Sequence, residues 1–169
     1  MARKFETYNG YRIVYNDTGA RLLADDGRLA NAETFVDLDA AKTWIDSHLD
    51  EQRGNRREPH IGTVEDYVAA IRNRGLNKNE TAMIAAHARS EDYRMTAAEL
   101  ANAAGWKSAN TANLRYGRVG KEVAEQLGLK IDESQDHAFA RALGNFDPKT
   151  SQWELHPELV EALEQLEIA

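Results

Sequence analysis

Met95 to Gly128 reads MTAAELANAAGWKSANTANLRYGRVGKEVAEQLG, and this stretch decides the architecture around it. Thr96 followed three residues later by Glu99 is a capping box, in which hydroxyl and carboxylate satisfy backbone N–H groups at a helix start. Ala97, Leu100, Ala101 and Ala104 then recur at helical spacing as one small apolar stripe. Gly105 supplies the left-handed residue that ends many helices, and Ser108 is a cap for the next one. Ala112, Tyr116, Val119, Val123 and Leu127 mark the buried face of that second helix. Two helices joined by a short turn containing glycine predict a helix-turn-helix.

The second helix carries a distinctive polar face. From Trp106 to Lys121 there are four basic residues, Lys107, Arg115, Arg118 and Lys121, and no acidic one. Asn110, Thr111 and Asn113 lie among them. Arginine and asparagine make paired hydrogen bonds to guanine and adenine edges, while lysine holds phosphates as a point charge. Arg115 and Arg118 share a face with Thr111. These seven residues are the candidate nucleic-acid contacts; a solvated face of a helical bundle is the plainer alternative. Gly117 and Gly120 fall inside the helical pattern and read as places of close helix packing or of a bend.

Before this pair, Thr63 caps a helix whose buried stripe is Val64, Tyr67, Val68 and Ile71, and Gly75 ends it. Asn79 opens another through Met83, Ile84, Ala86 and His87, which makes His87 a buried structural histidine. After the pair, Lys130 to Gln135 is a polar connection, and Ala138 to Leu143 is a short helix ended by Gly144. Phe146, a turn-forming run from Asp147 to Ser151, and then Trp153 and Leu155 fit either a two-stranded wing or an irregular loop with two aromatic anchors. Pro157 suits the first turn of a closing helix. Leu159, Leu163 and Leu166 face its core side, with Glu154, Glu158, Glu161 and Glu164 outward. The first three of those glutamates are expected on one helical flank.

The front of the chain reads differently. Tyr11, Ile13 and Tyr15 alternate with Arg12 and Val14 as a strand, and Asn16-Asp17-Thr18-Gly19 is turn chemistry. Arg21 to Ala24 is the return strand, Asp25-Asp26-Gly27 a second turn, and Thr34 to Val36 a third strand. Asp37 or Asp39 then caps a helix through Leu38, Ala41, Trp44, Ile45 and Leu49. The fold expected is α+β. A three-stranded sheet with one helix occupies residues 1–50, a charged linker 51–62, and a mostly α-helical, helix-turn-helix-like domain 63–169. In the linker, Arg53, Arg56 and Arg57 stand beside Glu51 and Glu58 and read as solvated.

Composition limits the classes of function. With 42% hydrophobic and 29% charged residues, the 169-residue chain has a globular balance. It contains no cysteine, which removes disulfides and thiolate metal sites. No apolar run reaches the roughly 20 residues of a membrane span. The opening MARKFETYNG lacks the apolar core of a secretory signal, so a cytoplasmic location is expected. Net charge is −7, and Ile131 to Ala169 accounts for all of it, with nine acidic and two basic residues. The histidines form no ligand pair, and no nucleophile elbow, Walker A loop or dinucleotide fingerprint occurs. The expectation is therefore a non-enzyme without cofactor or metal.

Two resemblances add to this. The runs TAAELANAAGW and ANLRYGRVG, with the later WELHPEL, resemble an accessory module found beside the nuclease domain of some HNH restriction endonucleases. Thr96, Glu99, Leu100, Ala101, Gly105, Trp106, Asn113, Leu114, Tyr116, Gly117 and Gly120 carry the likeness over about residues 64–166. It implies a nucleic-acid-defence setting and brings no catalytic residue. Residues 8–50 are loosely similar to small sheet-plus-helix modules of phage-encoded proteins. The function expected is DNA binding by a small accessory or regulatory protein of bacterial or phage origin. The alternative is a phage-encoded inhibitor of a CRISPR or restriction complex, meeting a basic protein partner through Asp132, Glu133, Asp136, Glu154, Glu158 and Glu161.

Overall fold

From Val64 onward, four consecutive α-helices begin where a short polar side chain takes over an orphan backbone donor, and the last begins at Pro157 without one. The structure, a computed structural model, describes residues 3–9, 11–23 and 33–169. It forms two units, Met1–Gly54 and Asn55–Ala169.

In the second unit, Thr63 and Asp66 form a reciprocal capping box at the start of α2 (Val64–Arg74). Asn77 and Glu80 do the same for α3 (Lys78–Ala88), which starts one residue before the expected Asn79. Thr96 and Glu99 open α4 (Ala97–Ala103), and Ser108 caps α5 (Ala109–Leu127). Gly105 takes a positive φ of 71° in the turn between them, and Gly128 closes α5 in the left-handed conformation. The fragment Ala138–Ala142 is a 3-10 helix, after which Gly144 begins a strand. The chain ends on α6 (Pro157–Gln165).

Three short strands join these helices. β4 (Arg94–Thr96) lies between α3 and α4, while β5 (Gly144–Asp147) and β6 (Gln152–Leu155) form a hairpin after α5. The sheet order is β4-β6-β5, antiparallel throughout, with Met95 opposite Trp153 and Phe146 opposite Trp153. Helix, strand, two helices and a hairpin that pairs back on the first strand make a winged helix-turn-helix. Of the two readings open for Phe146 to Leu155, the wing is the one observed.

The core of this unit joins Tyr67, Met83, Ile84, Leu100, Tyr116, Val123, Trp153, Leu159 and Leu163, all essentially inaccessible to water. Tyr116 on α5, Trp153 on β6 and Phe146 on β5 pack with ring centroids 5.3 and 5.0 Å apart, which fastens the wing to the helix pair. His87 lies in this core as expected. Its Nε2 donates to the Trp153 carbonyl at 2.9 Å, which leaves Nδ1 to accept from the Tyr116 hydroxyl at 3.4 Å. Burial pushes its pKa down to about 4.

The first unit is a meander of β1 (Lys4–Tyr8), β2 (Tyr11–Asn16) and β3 (Gly19–Leu23), with α1 (Leu38–Gly54) over one face. Ile13, Ala20, Leu22, Ala41 and Ile45 form its core. The third strand is β1, not Thr34 to Val36. Phe35 makes one isolated bridge to Ala20 and no more. The turn expected at Asp25-Asp26-Gly27 lies outside the described residues, as does Ala24.

Residues 51–62 differ from the linker that their composition suggested. The helix α1 runs on to Gly54, and the following residues belong to the second unit. Arg56 donates to Asp66 at 2.8 Å and to the Leu127 carbonyl at 2.8 Å, with only 7% of its side chain exposed. Ile61 and Gly62 are buried. A run of charges next to glycine and proline looks solvated until the partner, ten residues on, is known.

Candidate nucleic-acid interface

The helix α5 is positioned from both sides. Its inner face, Ala112, Tyr116, Val119, Gly120, Val123 and Ala124, is buried. Against it packs the Ala138–Ala142 segment, so closely that a Cβ on Gly120 would lie 2.2 Å from the Phe139 carbonyl oxygen. Gly120 therefore has the close-packing role that its place in the pattern suggested. Gly117 has no such role: a Cβ there would meet nothing within 4 Å.

The seven sequence-derived contact residues separate into three groups. Lys107, Asn110 and Arg115 are exposed, and among the described residues neither Lys107 nor Arg115 forms an ion pair. Thr111 is half-buried and occupied locally: its N–H donates to the Ser108 hydroxyl, and its own hydroxyl lies 2.9 Å from that oxygen. Arg118 and Lys121 are exposed but face carboxylates one turn on, Glu122 at 2.9 Å and Glu125 at 3.8 Å. Exposed pairs at this spacing contribute about 0.3–0.5 kcal/mol each, so a phosphate can take the cations away from them. Asn113 points the wrong way. It is half-buried, and its Oδ1 is inaccessible and has no hydrogen-bond partner.

Two residues on this surface were not singled out by charge. Leu114 is 67% exposed, on the face opposite Tyr116. Asn110, Leu114, Gly117 and Lys121 follow one another at i, i+4, i+7 and i+11, a single row along the outside of the helix. Only the phase of α5 relative to the core reveals this row, and a count of basic residues does not.

Beside the row lies a polar cleft of about 450 Å³, between the α2–α3 turn and α5, lined by Arg74, Asn77, Glu80, Arg115, Arg118 and Glu122. Arg74 holds both Glu80 oxygens at 3.0 Å, the Gly75 carbonyl at 2.8 Å and the Glu122 carboxylate. Burial alone would push the Glu80 carboxyl up, but Arg74 and the Asn77 N–H hold it below the usual range. This network fixes the α2–α3 turn against the middle of α5. The wing tip is fixed separately. Asp147 accepts from the Lys149 N–H at 2.8 Å and the Thr150 hydroxyl at 3.1 Å, leaving the Lys149 side chain exposed.

The acidic set does not form one flank. Glu154 lies on β6, outside the helix that starts at Pro157, and Arg94 on β4 binds it at 2.6 Å. Arg57 grips Glu158 through two contacts, at 2.9 and 3.3 Å. Asp132 closes a turn of its own, accepting from Ser134 and Gln135, and those hydrogen bonds keep its pKa below the ordinary value. Glu133, Asp136 and Glu161 are exposed, without ion pairs among the described residues.

Among the described residues no group of three or more histidine or carboxylate side chains is arranged to hold a metal ion, and no helix is long and apolar enough to cross a membrane. No family model, no curated protein and no solved structure matches the chain.

Proposed function

We propose that this chain is a non-enzymatic DNA-binding protein, of the small accessory or regulatory kind, that lays α5 in the major groove and its wing along the backbone. The observation that supports this most directly is the outward row of α5. Lys107 just before the cap, and Asn110, Leu114, Arg115 and Arg118 on or beside that row, face outward with no carboxylate before Glu122. The N-terminal part of a recognition helix is the part that reaches base edges, and here Lys107 and Arg115 stand there without an ion pair among the described residues, while Arg118 has only an exposed one to Glu122. Lys149 at the wing tip adds a phosphate contact. The carboxylates concentrated in the last 39 residues lie mostly outside this surface, which reconciles a net charge of −7 with a basic working face.

Fluorescence anisotropy with a labelled duplex of random sequence tests this. At about 50 mM salt the wild type is expected to bind, with affinity falling steeply as salt rises. The double variant Arg115→Ala, Arg118→Ala should lower the log–log salt slope by about 2, one for each lost phosphate contact. Failure of the wild type to retain any duplex at low salt sinks the reading.

The inhibitor reading draws its support from Glu133, Asp136 and Glu161 alone, because Arg94 and Arg57 already occupy Glu154 and Glu158. Reversing those three free carboxylates to lysine should leave the fold intact and repel a basic partner. Under the DNA reading, the same variant binds duplex as well as the wild type or better.

A further inference from the structure

Leu114 and Gly117 are each at odds with a merely solvated helix face. Leu114 exposes 67% of its surface in the centre of the outer row, flanked by Asn110, Arg115 and Arg118. A single exposed leucine is ordinary by itself. Gly117, one turn on, is not: mid-helix glycine costs stability, and here no neighbour in the unit uses the space, since an added Cβ would touch nothing within 4 Å. Three residues later, Gly120 has the intramolecular reason that Gly117 lacks. A bare stretch of helix next to an apolar knob, set among cations, fits an anionic surface that carries an apolar bump and comes close to the helix backbone.

Resting on the DNA-binding reading above, we infer that Leu114 seats on the 5-methyl group of a thymine in the major groove, with Gly117 as the clearance that lets that strand approach. Thymine alone presents a methyl group on the major-groove edge, and apolar side chains are what recognise it. The surrounding cations call for an anionic partner, and duplex DNA supplies the phosphates and an apolar methyl group on one surface; a second copy of this chain, also anionic at −7, is the outcome that the oligomeric-state measurement below separates. The same geometry selects duplex DNA over duplex RNA. The A-form major groove is too narrow for a helix, and uracil has no methyl group to offer.

The test starts from a library of duplexes with a randomised centre, from which the full-length protein selects its binders. The best selected duplex is then remade with deoxyuridine in place of each thymine in turn. At one position the wild type should lose about fourfold in affinity, the worth of one buried methyl group. Leu114→Ala should bind the thymine and deoxyuridine forms equally, and Gly117→Ala should bind the thymine form more weakly while melting at a higher temperature. An unchanged fourfold preference in Leu114→Ala overturns the inference and leaves DNA binding standing, as does Gly117→Ala binding at wild-type affinity. Equal competition by an RNA duplex of the same sequence, or a change of oligomeric state in Leu114→Ala without a change in base preference, overturns it too. Absence of any selected duplex removes the parent reading and this one together.

Discussion

Gly117 and Gly120 lie one turn apart on α5 and meet opposite surroundings. At Gly120 the Phe139 backbone fills the place of a side chain, whereas at Gly117 that place is open. The inner face of the helix is explained by the fold, through Tyr116, Val119, Gly120 and Val123 packed on the strands and the Ala138–Ala142 segment. The outer face is not explained by the fold. Among the described residues its glycine packs against nothing, its leucine is in water, and Lys107 and Arg115 have no ion pair. Features that cost stability and serve no internal contact direct attention to an external one. A similar contrast runs between α5 and the acidic set, in which Glu158 on α6 and Glu154 on β6 are already matched by arginines of the same unit.

The comparison can be broken hardest at the border between the two faces. Arg74 binds Glu80 and Glu122, and the Arg74 and Glu80 side chains are only 10% and 5% exposed. Arg74→Ala would leave the Glu80 carboxylate buried without its cation, which is expected to cost about 3–5 kcal/mol. Urea unfolding reads this as a lowered midpoint, and a loss below about 1 kcal/mol would show that the network does not hold α5 in place.

A second effect concerns the inner face and has a pH signature. His87 is neutral in the core, with its folded pKa near 4 against an ordinary 6.5, because burial disfavours the charged ring. The unfolded chain therefore takes up a proton first. The resulting stability is intact above about pH 6.5 and is lost as pH falls toward 4, at up to about 1.4 kcal/mol per unit. His156, lowered mainly by burial, adds in the same direction. Glu80, Glu99 and Glu122, all held below the usual carboxylate range, add further loss below about pH 4.5. His87→Gln keeps a donor for the Trp153 carbonyl and removes the titration. Its stability curve between pH 6.5 and 4.5 should be flatter by one proton, and an unchanged slope would mean that His87 is not the buried neutral group described.

Gly120→Ala comes third. The new Cβ would lie 2.2 Å from the Phe139 oxygen and 2.9 Å from its carbonyl carbon, backbone atoms that cannot turn aside. Overpacking of this kind costs about 1–3 kcal/mol. Thermal melting of Gly120→Ala at or above the wild-type temperature would show that the Ala138–Ala142 segment yields, and that the inner face is less tightly fitted than it looks.

How much of this was legible in the sequence depends on how local each cause is. The caps Thr63, Thr96, Ser108 and Gly128 act within four residues, so the α2, α4 and α5 boundaries followed from the residues alone. β4 did not: three residues, Arg94 to Thr96, are a strand only because β6 lies beside them, 56 to 60 positions away in the ladder that pairs Arg94 with Glu154. Distance does not account for β1, whose partner β2 lies only 3 to 11 positions on, and Thr34 to Val36 has a strand's propensity without a partner to extend the single Phe35 bridge. Arg56 looked solvated because its partner, Asp66, and the Leu127 carbonyl come from other elements. On α5 the cations were visible as composition, but Asn113 was placed outward when its amide oxygen is in fact buried. Leu114 and Gly117 were visible only as parts of a motif, because exposure and empty space are properties of the packed helix.

The smallest expected effect sharpens the comparison most. Gly117→Ala puts a methyl group into open space on a helical backbone, so the folded state accepts it without a clash. Alanine also narrows the unfolded ensemble and has the better helix propensity, which together should raise stability by about 0.5–1 kcal/mol. If the outer face existed only to be wet, the variant would be a stabilised protein with nothing else changed. If the outer face meets DNA at close range, the same methyl group stands between the helix and the strand beside Leu114, and affinity falls as stability rises. Opposite signs for the two measurements cannot come from partial unfolding, since a variant that binds worse because it is misfolded also melts earlier. A Gly117→Ala protein that melts at a lower temperature than the wild type would show that the open space is not open. One that is more stable and binds duplex unchanged would return the outer row of α5 to the status of a solvated face.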